Sequence, residues 1–210
     1  MNIVVFGAAG GIGKHVVTQA LARGWSVTAF VRRPEALGVT HPALTVVKGD
    51  VHDAAAVSAA VEGKDAALSS LGAPDRKSKV RSVGTENIVA AMKRHGVRRV
   101  IAVSAIGVGD SREQARRSSF FFGRIILPLF LSEPFADMDR MESALRQSSL
   151  DWTVVRPTGL HDGAAAGEVR VTVDGGVVGA RVSRASVAAF MLDELVSVAH
   201  LHAMPSIWAA

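Results

Sequence analysis

The chain has 210 residues, 49% of them apolar and 20% charged, with 20 glycines and a formal net charge of +5. That length serves one domain around one core, and the composition is that of a globular rather than a disordered chain. Without cysteine, disulfides, thiolate nucleophiles and cysteine-held metals are excluded and a reducing cytoplasm is the expected compartment; the surplus positive charge favours anionic partners such as a phosphorylated cofactor.

In chain order, residues 2–6 (NIVVF) read as a strand, which leaves no place for the basic and apolar regions of a secretory signal. A helical pattern follows at 11–23, then strands at 26–31 (SVTAFV) and 44–48 (LTVVK), a helix at 54–61, a strand at 65–71, a helix at 84–95, a strand at 98–104, a helix at 135–148 and a strand at 152–156 (WTVVR). The strands are valine- and isoleucine-rich and read as buried. Gly24, Gly63 and Gly96 stand where three helices should stop in a left-handed residue. Strands alternating with helices predict an α/β fold, a Rossmann-type doubly wound parallel sheet with right-handed crossovers.

After Pro157 the pattern changes. Residues 168–174 and 177–183 read as a hairpin or a pair of short strands around Asp174, Gly175 and Gly176, followed by a helix at 186–200. No linker separates this part, so residues 1–210 are read as one domain. Residues 1–104 form its cofactor half, and 105–135 and 157–185 its substrate-side elements. The apolar run at 120–131 (FFFGRIILPLFL) is broken by Arg124 and Pro128 and falls short of the ~20 residues a membrane span needs. It fits a core helix, a dimer face or the wall of a substrate pocket, and monomer and homodimer both stay open. The lysines and arginines are scattered in small groups without interleaved aromatics, the pattern of solvated helix faces rather than of a nucleic-acid footprint.

Gly7, Gly10 and Gly13, in GAAGGIG, form G-x-x-G-x-x-G between a strand and a helix. Gly7 permits the sharp turn out of the strand, Gly10 lets a pyrophosphate approach the backbone, and Gly13 lets the helix pack closely. The cradle thus spans Gly7, Ala8, Ala9, Gly10, Gly11, Ile12 and Gly13, and the helix start aims free N–H groups and a positive dipole end at phosphate. Three glycines alone are a weak signal; in this strand–turn–helix context they are a strong one. At the end of the second strand, where an NAD site offers Asp or Glu, the chain reads FVRRP. Arg32 and Arg33 would fork a 2′-phosphate, so NADP(H) is expected over NAD(H). A solvated loop with two arginines is the plain alternative.

Together with GDV (49–51), SLG (70–72), GTENIVAAMKRHGVRRVIAVSA (84–105) and LRQSSLDWTVVRPTGLHDG (145–163), these motifs resemble atypical short-chain dehydrogenases/reductases of the NAD(P)-binding kind. The chain is most similar to the biliverdin-IXβ reductase/flavin reductase group, and more distantly to NmrA-like cofactor sensors. The resemblance runs from residue 1 to about residue 200. It implies that Asp50 and Val51 lie beside the adenine, that Leu71 and Gly72 run along the cofactor, and that Ser104 stands near the nicotinamide. It also implies that Pro157, Thr158, Gly159 and Leu160 close over the nicotinamide end. Asp50 equally fits an N-cap or turn residue.

The chain departs from the ordinary pattern in lacking tyrosine altogether, and with it the usual tyrosine and lysine pair. Met138 stands where some relatives place a histidine, and His161 is out of register. Hydride delivered to a ketone leaves a localised alkoxide that needs a positioned proton donor, whereas a flavin, quinone or tetrapyrrole delocalises the charge. The expected activity is therefore an NADPH-dependent reductase of a flat conjugated small molecule, with Ser104 as candidate catalytic residue. A non-catalytic NADP(H) sensor and a carbonyl reductase or epimerase using Ser104 are the alternatives. His200 and His202 are a weak metal signal, and no metal is expected.

Overall fold

The computed structural model describes residues 1–118, 132–165, 168–179 and 181–209. Each buried apolar run becomes a strand and each amphipathic run the helix that covers it: β1 (Asn2–Phe6), α1 (Gly11–Ala22), β2 (Ser26–Val31), β3 (Leu44–Lys48), α2 (Ala54–Val61), β4 (Ala66–Ser69), α3 (Val80–His95), β5 (Arg99–Val103) and α4 (Arg112–Ser118). Then come α5 (Ser132–Arg146), β6 (Asp151–Pro157), β7 (Gly159–His161), β8 (Val169–Thr172), β9 (Arg181–Ser183), α6 (Arg184–Ser197) and β10 (Ser206–Ala209). The main sheet has the order β3-β2-β1-β4-β5-β6-β10-β8. All its pairings are parallel except that of β10 with β8. This is the doubly wound Rossmann arrangement, whose strand order reverses beside β1 and opens a crevice at the carboxyl ends.

Alternation along the strands divides the core. Ile3, Val5, Ala29, Val31, Leu68, Ile101 and Val155 pack under α1 and α6. Val4, Phe6, Phe30, Ala67, Val100, Ala102 and Val154 pack under α2, α3 and α5. Both faces of the inner strands are covered, which is why they read as continuous apolar runs. β3 departs from the expectation of a buried strand: it is the sheet edge, and Val46 is 41% exposed.

Helix ends follow the chemistry of capping. Asp53 accepts from Ala55 and Ala56 N–H at the start of α2, and Ser183 from Ser186 N–H at the start of α6. Gly96 closes α3 with φ 70°, and Gly24 and Gly63 also adopt positive φ. α3 starts at Val80, four residues before the predicted start. Its cap comes from another helix: Asp137 of α5, 1% exposed, accepts from Arg81 N–H (3.1 Å), Ser82 N–H (3.2 Å) and Ser82 Oγ (2.5 Å).

Of the two forms expected for 168–183, a hairpin or a pair of short strands, the structure has the pair of short strands. β8 pairs antiparallel with β10, while β9 pairs in parallel with β7 in a separate two-stranded sheet. The turn around Asp174 exists locally, where Asp174 bonds Thr172 Oγ1 and accepts from Gly176 N–H. The chain after it leaves the sheet, and the place beside β8 is taken by β10.

Candidate functional site

The turn out of β1 is possible only for glycine: Gly7 has φ 77°, and a Cβ there would lie 2.5 Å from the Ser70 carbonyl oxygen. Gly10 N–H donates to the Gly7 carbonyl at 2.9 Å. A Cβ on Gly13 would overlap that same carbonyl oxygen and sit 2.8 Å from Ala8 Cα, so α1 is pressed against the loop it follows. α1 has no side-chain cap on Gly10 and no acid in its first turn. Its leading N–H groups thus have no side-chain acceptor, which suits an incoming anion.

In front of this helix start lies a crevice of about 210 Å³. Gly7, Ala9 and Gly10 line one side, Arg32 and Arg33 the β2 end, and Val51, Leu71 and Gly72 the other side. Phe30, Val31, Ala36, Gly49 and Val80 also line it and were not among the candidate site residues read from the sequence. The signal for Gly49 was tertiary: a Cβ there would run into the Phe30 ring, which lies tilted against Phe6 with ring centres 5.2 Å apart. Val51 is held in place from α3, where Asn87 Nδ2 donates to its carbonyl at 2.8 Å. Gly84 admits the side chains of Leu71 and Val51.

The other sequence-derived candidates lie around this crevice or apart from it. Ala8 and Ile12 are buried in the core behind the loop, and Gly11 is exposed at the first turn of α1. Asp50 stands next to the crevice but not in its wall. It is a turn residue, accepting from His52 N–H (3.0 Å) and bonding His52 Nδ1 (2.7 Å), while Asp53 caps α2. The hydrogen bonds from His52, and secondarily the charge of Arg32, hold the Asp50 carboxyl below its ordinary range.

Ser104, Pro157, Thr158, Gly159 and Leu160 form a second group at the carboxyl ends of β5 and β6. Ser104 N–H donates to Val155 O (2.8 Å), Ile106 N–H to Pro157 O (3.3 Å) and Thr158 N–H to Ile207 O (3.1 Å). Gly159 and Leu160 pair with Arg181 and Val182 of β9. Ser104 Oγ and Thr158 Oγ1 are both buried, and neither has a hydrogen-bond partner among the described residues. Buried hydroxyls without partners are uncommon, and these two, like Thr85 Oγ1 in α3, have hydrogen-bonding capacity left unused by the described residues. Arg81, also missed by the sequence reading, donates from Nε to Leu71 O at 3.1 Å. Burial lowers its pKa, and the charge of Asp137 partly opposes that.

Behind the second group lies an ion network. Arg156 of β6, 4% exposed, forks the fully buried Glu142 of α5 through Nε–Oε1 (3.0 Å) and Nη2–Oε2 (2.6 Å). Its Nη2 also reaches Asp110 Oδ1 at 2.6 Å. The network ties the loop after β5 to β6 and α5.

The remaining candidates have other duties. His200 bonds Glu194 (2.7 Å) and His202 bonds Leu150 O (3.1 Å), and no group of three or more metal-ligating side chains occurs among the described residues. No described helix is long and apolar enough to cross a membrane. The apolar run at 120–131 lies outside the described residues.

Residues 7–197 match the family model described as NAD(P)H-binding. An uncharacterized chloroplastic protein of Arabidopsis thaliana is 30% identical over 206 residues, covering 93% of this chain and 72% of the plant protein. A 3β-hydroxysteroid dehydrogenase/isomerase of Mycobacterium tuberculosis is 36% identical over 120 residues, which are 51% of this chain and only 32% of that enzyme. Among solved structures, ChuY of Escherichia coli O157:H7, described as an anaerobillin reductase, superposes with a TM-score of 0.78 at 26% identity. That match covers 99% of this chain and 97% of ChuY. With a glycine loop, an uncapped helix start and a crevice beside them on the matched segment, the chain belongs to the NAD(P)H-binding family of Rossmann proteins.

Proposed function

We propose that the chain is an NADPH-dependent reductase that passes hydride to a flat conjugated small molecule of the flavin, quinone or tetrapyrrole kind. The observation that carries the reading is the crevice itself, whose wall combines the glycine loop with Arg32 and Arg33. The residues fit the cofactor. The crevice-lining positions of the β1–α1 turn carry nothing larger than the methyl of Ala9 to obstruct a pyrophosphate, α1 offers free N–H groups, and two exposed guanidinium groups lie at the β2 end, where the adenosine ribose is bound in such folds. A carboxylate there would repel a 2′-phosphate; arginine attracts it. When bound, the nicotinamide supplies the hydride, and the protein supplies position.

Ser104 and Thr158 provide two desolvated O–H groups at the carboxyl ends of β5 and β6. Such hydroxyls orient a carbonyl or ring nitrogen by hydrogen bonding but are too weakly acidic to replace a tyrosine as proton donor. An acceptor that delocalises the added charge and takes its proton from water requires no more than this. The description of ChuY as an anaerobillin reductase is consistent with a tetrapyrrole-like acceptor.

The test is loss of reduced-nicotinamide absorbance with NADPH and, separately, NADH, across FMN, riboflavin, quinones, biliverdin and simple ketones. Turnover with NADPH and conjugated acceptors, and a Ser104→Ala effect of less than about tenfold, is the expected result. Turnover confined to ketones with collapse in Ser104→Ala would replace the reading with a carbonyl reductase. NADPH binding without oxidation across the panel would replace it with a sensor.

A further inference from the structure

Arg184 opens α6, far from every motif of the cofactor half. Its side chain nevertheless runs across the first turn of α1: a Cβ built on Gly11 would lie 2.7 Å from Arg184 Cδ and 2.8 Å from Nε. Glycine at position 11 is therefore what admits the arginine. Arg184 Nη1 pairs with Asp162 Oδ1 at 2.9 Å, the two side chains being 28% and 86% exposed. Asp162 belongs to the loop after β7, on the substrate side.

A guanidinium at this place is electrostatically misplaced for a helix standing alone. The start of α1 carries the positive end of the helix dipole, its first turn holds no acid, and its cap is a glycine. Cations are unfavourable at such an end unless an anion stands between. Among the described residues, the anion paired with Arg184 is a water-exposed carboxylate, a weak and screened partner.

We propose that Arg184 is a second, side-chain ligand for the pyrophosphate of the nucleotide, and that Asp162 holds its guanidinium until the nucleotide displaces that carboxylate. This rests on the cofactor reading above and deepens it. The backbone of residues 7–13 recognises the pyrophosphate from one side, and the first residue of α6 closes on it from the other. Because Asp162 lies four residues after Thr158, exchange of the carboxylate for phosphate frees the substrate-side loop when the nucleotide arrives. Arg32 and Arg33 select the 2′-phosphate; Arg184 acts on the group that NADPH and NADH share.

That division gives the test. NADPH, NADH and adenosine 2′-monophosphate, which lacks the pyrophosphate, are titrated calorimetrically into the full chain and into Arg184→Gln, Arg184→Lys and Asp162→Asn, with displacement titration for the weak mononucleotide. Arg184→Gln is expected to weaken NADPH and NADH by the same factor, about tenfold or more for a lost charge-assisted contact, and to leave the mononucleotide unchanged. Arg184→Lys should recover part of the loss, and Asp162→Asn should bind both dinucleotides at least as tightly as the parent. Undiminished dinucleotide binding by Arg184→Gln overturns the proposal while leaving the cofactor reading intact. So does a parallel loss of the mononucleotide, which marks Arg184 as structural. A parent chain that binds neither dinucleotide overturns both.

Discussion

Replacing Glu142 by glutamine keeps the size of a fully buried side chain and removes its charge. In the native chain that carboxylate accepts two bonds from Arg156 and one from Arg146 Nη2 at 3.1 Å. The amide that replaces one oxygen turns N–H toward a guanidinium, setting donor against donor. Breaking a buried pair by removing one partner costs about 3–5 kcal/mol, because the remaining charge stays desolvated. Here Asp110 still touches Arg156, but its side chain is 71% exposed, so it offsets only part of the loss. The expected destabilisation is about 3 kcal/mol, the low end of that range. For a chain of this size it lowers the melting temperature by about 6–12 °C. Urea denaturation monitored by circular dichroism measures the first quantity and thermal melts the second. The double change Glu142→Met with Arg156→Met, which removes both charges, should regain most of the stability. A loss below about 1 kcal/mol in Glu142→Gln, or a double variant weaker than the single one, would refute the idea that Arg156 depends on Glu142 for its burial.

Removing both guanidinium groups in Arg32→Ser/Arg33→Ser should weaken NADPH binding about tenfold to a hundredfold, for one or two charge-assisted phosphate contacts, and leave NADH nearly unchanged; the ratio of the two affinities by calorimetry checks it. Gly13→Ala forces α1 away from the Gly7 carbonyl, and is expected to lower both the melting temperature and dinucleotide affinity, whereas the neighbouring exposed change Lys14→Ala should lower neither. For Asp110, partial burial pushes the carboxyl pKa upward, but the charge and hydrogen bond of Arg156 outweigh it, so the folded value is lowered. A lowered carboxyl stabilises the fold above the ordinary carboxylate range, and that contribution is lost as pH falls through the folded value. Asp110→Asn should therefore lose less stability than the parent between pH 6 and pH 3, as read by melting temperature against pH.

The inner strands were legible because burial on both faces writes itself into the chain as runs such as NIVVF and RVIAV, and the glycine loop because backbone approach leaves only glycine. What escaped depends on partners distant in sequence. β10 has just four residues and starts with Ser206, whose hydroxyl is buried only because Gln114 accepts from it at 2.8 Å. The residues Asp174, Gly175 and Gly176 do make a turn, but turn chemistry does not say which strand pairs next, and β10 rather than β9 lies beside β8. The start of α3 was misplaced because its cap comes from Asp137, 55 residues after Ser82. In the candidate site, Arg32 and Arg33 were readable from their place at the end of β2. Val80, Phe30 and Arg184 reach the site region through tertiary packing that no local spacing encodes.

The absence of tyrosine takes on a structural meaning once α5 is considered. This helix precedes β6 and packs against α3 and β6. Its two buried acids are already committed: Asp137 to the first turn of α3, and Glu142 to Arg156. Each accepts hydrogen bonds from several donors within these contacts, so both side chains are already engaged. The segment 119–131 before it brings no acid, histidine, lysine or tyrosine, only Ser119 and Arg124 as polar side chains. Two buried hydroxyls, Ser104 and Thr158, are then what the strand ends contribute. On the function proposed above, such an arrangement would align an acceptor without protonating it, which would favour acceptors whose reduced form is stabilised by their own conjugation.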